Sequence, residues 1–294
     1  MARIVSVGLA CLDYLFQVPQ LPNGGGKFFA EQYVAAPGGP AAAASLAVAS
    51  LGHESLFLGR LGDDQVGHDL VRNLSGRGVD ASRVRLVSGQ TSQVSSVVVD
   101  RTGERQILNF SSQQLDPDPS WLPEEIIASA DFLLTDVRWP EGAQAALTLA
   151  RKHGVPSLID ADVAPVDISS LVGLATYAIF SEGGLEMATG EHELLKGLQV
   201  AAHNSPAWVA VTAGEKGSYW LEEEYLKTCP AEKIKAVDTC GAGDVFHGAF
   251  AVAMVEKMPF DQAMRFAGIT AALKCLTFGG SVGVPNRAAV NLRL

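Results

Sequence analysis

Short, continuous apolar runs alternate with longer stretches whose apolar residues recur at helical spacing. Residues 3–9 (RIVSVGL) form the first run, and its lack of polar alternation predicts a strand buried on both faces. The Ala-rich stretch 41–52 (AAAASLAVASLG) follows Gly38-Gly39-Pro40 and stops at Gly52, the punctuation of a helix. Residues 55–64 (SLFLGRLGDD) read as a strand ending in a Gly/Asp loop, with a helix from about Val66 to Arg77. Strand-like ADFLLTDV (130–137), PSLIDAD (156–162), TYAIFS (176–181) and WVAVTAG (208–214) come later, with helices over Glu141–His153 and near Asp244. This alternation predicts βαβ units and an α/β fold with a mostly parallel sheet covered on both faces.

Two segments break the rhythm. Residues 14–36 carry a few alternating residues and the turn Pro22-Asn23-Gly24-Gly25-Gly26, and 92–111 hold two β-rich runs, 93–99 and 105–110, around a Gly-containing turn. Both predict short strands, read as a small β lid over one edge of the sheet. No tandem repeat or long linker divides residues 1–294, so the chain reads as one domain carrying that lid.

Composition narrows the function. With 48% hydrophobic and 18% charged residues, the chain can bury a large core. A net charge of −10 argues against a nucleic-acid partner, since a phosphate backbone is repelled on average. Cys11, Cys229, Cys240 and Cys275 are scattered without a CxxC pair and read as reduced thiols. Asp13 interrupts the apolar N-terminus, which therefore reads as a strand rather than a secretion signal, and no run approaches the ~18 apolar residues of a membrane span. A cytoplasmic protein is expected. The six histidines show no ligand spacing, and no G-x-G-x-x-G follows the first strand, which argues against metal hydrolysis and dinucleotide chemistry.

The most informative stretch is 236–250, AVDTCGAGDVFHGAF. Gly241-Ala242-Gly243 is a small-residue loop opening a helix, where backbone N–H groups and the helix dipole attract an anion. Asp244 in the first turn can accept a hydroxyl proton while the loop holds a transferring phosphoryl group. Taken alone, Asp244 reads equally well as an ordinary helix N-terminal carboxylate. His247 reads as a packing residue.

The longer string DTCGAGDVFHGAF closely resembles the C-terminal signature of the ribokinase-like, or phosphofructokinase B-type, carbohydrate kinases, and the likeness extends over nearly the whole chain. It implies a three-layer αβα sandwich with a small β-sheet lid, and transfer of the ATP γ-phosphoryl group to a sugar hydroxyl. It assigns Gly241, Ala242 and Gly243 to the anion hole and Asp244 to the catalytic base. Asp13, in VGLACLD, falls where the family has an aspartate bonding sugar hydroxyls. Gly38 and Gly39 fall where paired glycines let the backbone approach the sugar, although GGPAAAA here lacks the asparagine of many members. Thr212, Gly214 and Gly217 of VTAGEKG are implied to receive the nucleotide phosphates and ribose. Lys274, and Gly280 in the late loop 276–285 (LTFGGSVGVP), are implied on the ATP side. LGRLGDDQVG (58–67) is implied to be structural. Asp238 falls at a monovalent-cation site, with K+ the implied ion. Ser181 and Gly184 replace the family's Asn-x-x-Glu motif, leaving Glu182 or Glu186 as candidates for recruiting the Mg2+ that accompanies ATP.

Lys27 ends the glycine-rich turn, Asn109 ends the lid hairpin, and Arg138 follows a predicted parallel strand, where α/β sheets bind ligands. A point charge, an amide and a guanidinium fork suit a tetrahedral oxyanion. With GGPAA and DVFHGA, these residues look most like the sulfofructose kinase branch, which implies phosphorylation of 6-deoxy-6-sulfofructose at O1. A kinase for fructose 6-phosphate, tagatose 6-phosphate or a neutral ketose is the alternative; a sugar sensor without activity is the alternative of another class. Exposed lid edges predict a homodimer joined through the lids.

Overall fold

In the computed structural model, which describes residues 1–111, 115–164 and 166–294, the continuous apolar runs form the centre of a nine-stranded sheet. The chain opens with β1 (Arg3–Val7), β2 (Cys11–Gln17), β3 (Gln32–Gly38), α1 (Pro40–Ser50) and β4 (Glu54–Leu58). β5 (Arg60–Gly62), α2 (Gln65–Gly76), β6 (Val79–Asp80), β7 (Arg85–Val87), β8 (Val94–Val99) and β9 (Arg105–Phe110) follow. The middle alternates α3 (Glu124–Ala128), β10 (Phe132–Asp136), α4 (Pro140–His153), β11 (Ser157–Ala161), α5 (Ser169–Leu174) and β12 (Tyr177–Ser181). Next come α6 (Glu182–Thr189), α7 (Leu194–Asn204), β13 (Trp208–Thr212), β14 (Ser218–Glu222) and β15 (Tyr225–Cys229), and then α8 (Ala242–Val255), α9 (Phe260–Lys274) and α10 (Arg287–Asn291).

The main sheet runs β15-β14-β13-β12-β11-β10-β1-β4-β6. The strands from β6 to β13 are all parallel, as the βαβ alternation requires. β14 and β15 add an antiparallel hairpin at one edge, which the apolar pattern did not announce. Chain order reverses at β1, which pairs with β4 on one side and β10 on the other. A crevice at the carboxyl ends of β1 and β10 is therefore the place where such a sheet binds ligands.

Alternate strand residues feed two cores. Ile4, Phe132, Leu134 and Ile179 pack beneath α1, α8 and α9, while Val5, Leu133, Ile159 and Phe180 pack against α4 to α7. Each fully buried Leu, Ile or Phe contributes about 1.5–3 kcal/mol. α1 and α8 touch backbone to backbone, because a Cβ on Gly248 would lie 2.4 Å from the Ala44 carbonyl oxygen. That close crossing brings the first turns of both helices to the switch point.

A second, separate sheet, β3-β2-β8-β9, is built from the two segments read as a lid and keeps that label. Its two antiparallel hairpins meet along a parallel β2–β8 pair, and the first lid strand starts at Cys11 rather than near residue 14. Asp13 is thus a strand residue. LGRLGDDQVG is a structural corner: Asp64 caps α2 through Gly67 N (2.8 Å) and also accepts from Ser92 N (2.8 Å) and Oγ (2.6 Å). Burial would raise the Asp64 pKa, but these hydrogen bonds outweigh it and hold it below the ordinary value.

Candidate active site

Gly241 turns the chain into α8 with φ +77°, a left-handed conformation that costs glycine little. Val245 N is the first to bond back into the helix, to the Gly241 carbonyl at 3.0 Å. The N–H groups of Gly243 and Asp244 have no acceptor among the described residues, so the first turn presents unused donors at the positive end of the helix. Asp244, half-buried, stands in the same turn. Burial pushes its carboxyl pKa up to about 7, helped by the negative charges of Asp160, Asp136 and Asp13 and opposed by His247. A base with a pKa near the working pH is well matched to proton abstraction.

Behind Asp244 lie the ends of β10 and β11. Asp136 accepts hydrogen bonds from Leu9 N (2.8 Å), Ala41 N (3.1 Å) and Arg138 N (2.8 Å). It thereby caps α1, whose own N-cap, Gly39, has no side chain to do so. Gly8 permits this approach, since a Cβ there would lie 2.2 Å from Asp136 Oδ2. Burial raises the Asp136 pKa to about 6 despite those donors. Asp160 is the cross-strand partner of Asp136, and its Oδ2 lies 3.2 Å from His247 Nδ1 without hydrogen-bond alignment.

The lid supplies the opposite wall. Asp13, Ser95 and Asn109 are successive cross-strand partners on β2, β8 and β9 and so share one face. Asp13 is buried, accepts from the Cys11 thiol at 3.3 Å, and has a pKa raised by that burial. Gly38 is required beneath it, because a Cβ would sit 1.9 Å from Asp13 Oδ2; Gly39, at φ +91°, likewise has the Leu9 carbonyl 2.6 Å from any Cβ. Four residues before Asn109 on the same face, Arg105 stands opposite Val99, and its Nη1 donates to Thr239 Oγ1 at 2.5 Å.

A cavity of about 710 Å³ opens between the lid turn, α8, α9 and the β14–β15 edge. Thr212, Gly214, Gly217, Ala242 and Gly243 line it together, with Arg105 at its lid side.

The chain matches the model of the pfkB family carbohydrate kinases over residues 1–287. The chain belongs to that family. A provisionally named ribokinase from Agrobacterium tumefaciens superposes with a TM-score of 0.94 at 36% identity, covering 99% of this chain and 97% of that one. The Arabidopsis thaliana ribokinase solved with ribose and ATP gives 0.84 at 26% identity, covering 99% and 98%. The curated ribokinase of Haemophilus influenzae is 26% identical, covering 94% of this chain and 92% of its own length. The chain is thus an ATP-dependent sugar kinase with the ribokinase fold.

Within this pfkB kinase, several residues lie away from their implied places. Lys274 does not line this cavity: it is fully buried, and its Nζ donates to the Asp238 carbonyl oxygen at 2.9 Å and lies 3.7 Å from Asp238 Oδ1. Gly280 is also buried, its N–H bonded to Asp238 Oδ2 at 2.7 Å. Asp238 accepts from Gly279 N and Cys240 N as well, at 2.9 and 2.8 Å. With its oxygens so engaged and an ammonium beside it, Asp238 does not fit a K+ site; the lysine already supplies the cation. Glu182 opens α6 but is paired with Lys216 at 3.0 Å, and no group of three or more metal-ligating side chains occurs among the described residues. Glu186 is paired with His192 at 2.9 Å.

Arg138 lies at the end of β10, where its guanidinium donates to the Val163 carbonyl (2.7 Å) and to Asp162 Oδ2 (2.5 Å). Lys27 is exposed on the β2–β3 connection and Asn109 is exposed on β9. Among the cavity residues that the sequence did not single out are Arg105, Thr239 and the small residues Gly268, Ala271 and Ala272 of α9. Ala263 and Ala267 of the same helix pack in the core instead, so small size alone does not mark the last three from sequence.

Proposed function

We propose that this kinase transfers the γ-phosphoryl group of Mg-ATP to O1 of 6-deoxy-6-sulfofructose, with Asp244 as the base. The observation that supports this most is the pairing of Asp244 with unused N–H donors in one helical turn, beside a cavity lined by Thr212, Gly214 and Gly217. Asp244 removes the proton from the attacking hydroxyl. The N–H groups after Gly241 stabilise charge on the transferring group, which is where catalysis of this transfer resides. Mg2+ arrives as part of the nucleotide co-substrate and neutralises phosphate charge. Asp13, over Gly38 and Gly39, orients the sugar hydroxyls.

Arg138, Asn109 and Lys27 form the sulfonate end of the reading. Arg138 has five N–H donors, and the contacts to Val163 and Asp162 leave others for an anion. A single-charged sulfonate suits this set, in which Asp162 already offsets part of the guanidinium charge. Replacing Arg138 with Ala is expected to raise KM for sulfofructose about ten- to hundredfold, the worth of a lost charged hydrogen bond of about 1.5–3 kcal/mol, with a smaller change in kcat. An unchanged KM sinks the sulfonate pocket.

The second reading is a kinase for a neutral sugar, favoured by the relative whose structure contains ribose and ATP. A cytoplasmic location is supported by the use of ATP and by four unpaired cysteines. A homodimer joined through the lids is supported by the apolar outer lid face, where Leu108 is 76% and Tyr33 55% exposed.

A further inference from the structure

His247 is one of the few buried side chains with no hydrogen bond: it is 3% exposed, and both ring nitrogens lack a hydrogen-bond partner among the described residues. A neutral imidazole left so would lose the full worth of its solvation, which is why buried polar groups are nearly always bonded. The explanation lies in what surrounds it. Three residues after Asp244 on α8, His247 shares that residue's helix face. Its Nδ1 is 3.2 Å from Asp160 Oδ2, and that carboxylate is itself buried.

The neighbouring carboxylates divide into two sets. Asp136 is held by three backbone N–H groups, Asp162 by Arg138 and Ser181, and Asp13 by the Cys11 thiol. Asp160 and Asp244 receive no hydrogen bond among the described residues, and the imidazole is the one cationic group within 4 Å of Asp160. Other packed elements bring no further cation. α1 carries no titratable side chain from Pro40 to Ser50; on α9, Asp261 and Arg265 are exposed and Lys274 is committed to Asp238. β10 and β11 contribute only Asp136 and Asp160.

We propose that His247 is the internal counter-ion of this active site, an imidazolium that offsets Asp160 and so keeps Asp244 ionised as a base near neutral pH. His247 touches no substrate in this role; it is a positioning residue that acts through charge. Burial alone would depress its pKa, but Asp160 and Asp244 outweigh that and raise it, while His247 in turn lowers the pKa of Asp244. The inference rests on the reading of Asp244 as the base.

The test is the pH profile of kcat/KM with Mg-ATP and whichever of 6-deoxy-6-sulfofructose, fructose 6-phosphate, fructose and ribose turns over fastest. In His247→Asn the acid limb moves to higher pH by about one unit or more, the usual effect of an opposite charge at this range. Activity at pH 7 then drops about fivefold or more and recovers by pH 9. In Asp160→Asn the limb moves to lower pH, and in the double variant it returns towards the wild-type position. A limb that stays put in either single variant, or a His247→Asn loss equal at every pH, overturns the proposal. If His247→Asn fails to fold, the Asp160→Asn shift decides alone. Asp244→Asn separates the two readings: retained turnover there removes the base, whereas its loss with an unmoved limb in His247→Asn removes only the counter-ion.

Discussion

Asp244 and Asp136 are carboxyls whose charged forms are disfavoured by their surroundings, and this has a consequence for stability. Folding raises the Asp244 pKa from 3.8 to about 7, so between those values the native state binds more protons than the unfolded chain. Its contribution is therefore fully present at low pH and is lost as pH rises through about 7. Asparagine cannot ionise, so Asp244→Asn is expected to raise the thermal midpoint at pH 8, with the gain shrinking towards pH 4.5. Calorimetry at both values checks this, and a variant less stable than wild type at pH 8 contradicts it. If Asp244 is the base, as proposed, it is a group retained for function at the expense of stability. At this scale the helix start at Gly241-Ala242-Gly243 was legible from its small residues, whereas Asp244 alone read equally as a helix N-terminal carboxylate and gained its proposed role only from the longer string DTCGAGDVFHGAF. Lys274 was not. A lysine in the last turn of a helix ordinarily meets solvent, and here it is sealed in by Asp238 and the 279–283 turn, which arrive from distant parts of the chain.

Among the elements, the parallel strands were readable because burial on both faces makes them continuously apolar. The hairpin β8–β9 was readable from its turn, and it spans Val94–Val99 and Arg105–Phe110. The pairing of β2 with β8 was not, since no local feature specifies which strand a half-polar strand will join. The β14–β15 hairpin escaped notice because it carries neither a continuous apolar run nor a glycine turn. The lid has two faces with different chemistry. Its inner face holds Asp13, Leu15, Val97 and Val99 against Cys240 and Phe278. Its outer face carries Tyr14 stacked on Tyr33 at 6.4 Å, with Leu108 and Phe110 exposed. If two lids join through that outer face, Leu108→Asp yields a monomer in sedimentation equilibrium while the wild type is a dimer. A wild type that sediments as a monomer, or a variant that remains dimeric, removes this interface.

Across the whole molecule, the small sheet, α8, α9 and the sheet edge converge on one cavity lined by Thr212, Gly214, Gly217, Ala242 and Gly243, and the proposed base Asp244 follows directly after that lining. Arg105 ties the lid to Thr239, just ahead of the anion loop, so lid position and the nucleotide wall are mechanically linked. If the small sheet closes as the proposed function requires, it would exclude water and limit futile hydrolysis of ATP. The proposed sugar contacts carry the weaker sequence signal, because Lys27, Asn109 and Arg138 come from three separate segments and each alone resembles an ordinary surface residue. The most direct measurement is ADP release with Mg-ATP and 6-deoxy-6-sulfofructose, for the wild type and for Asp244→Asn, beside fructose 6-phosphate, fructose and ribose. Selective turnover of sulfofructose by the wild type is expected, with kcat reduced roughly 10²–10⁴-fold in the variant, the usual worth of a general base. Turnover by Asp244→Asn at the wild-type rate, or wild-type preference for ribose or fructose, would contradict it.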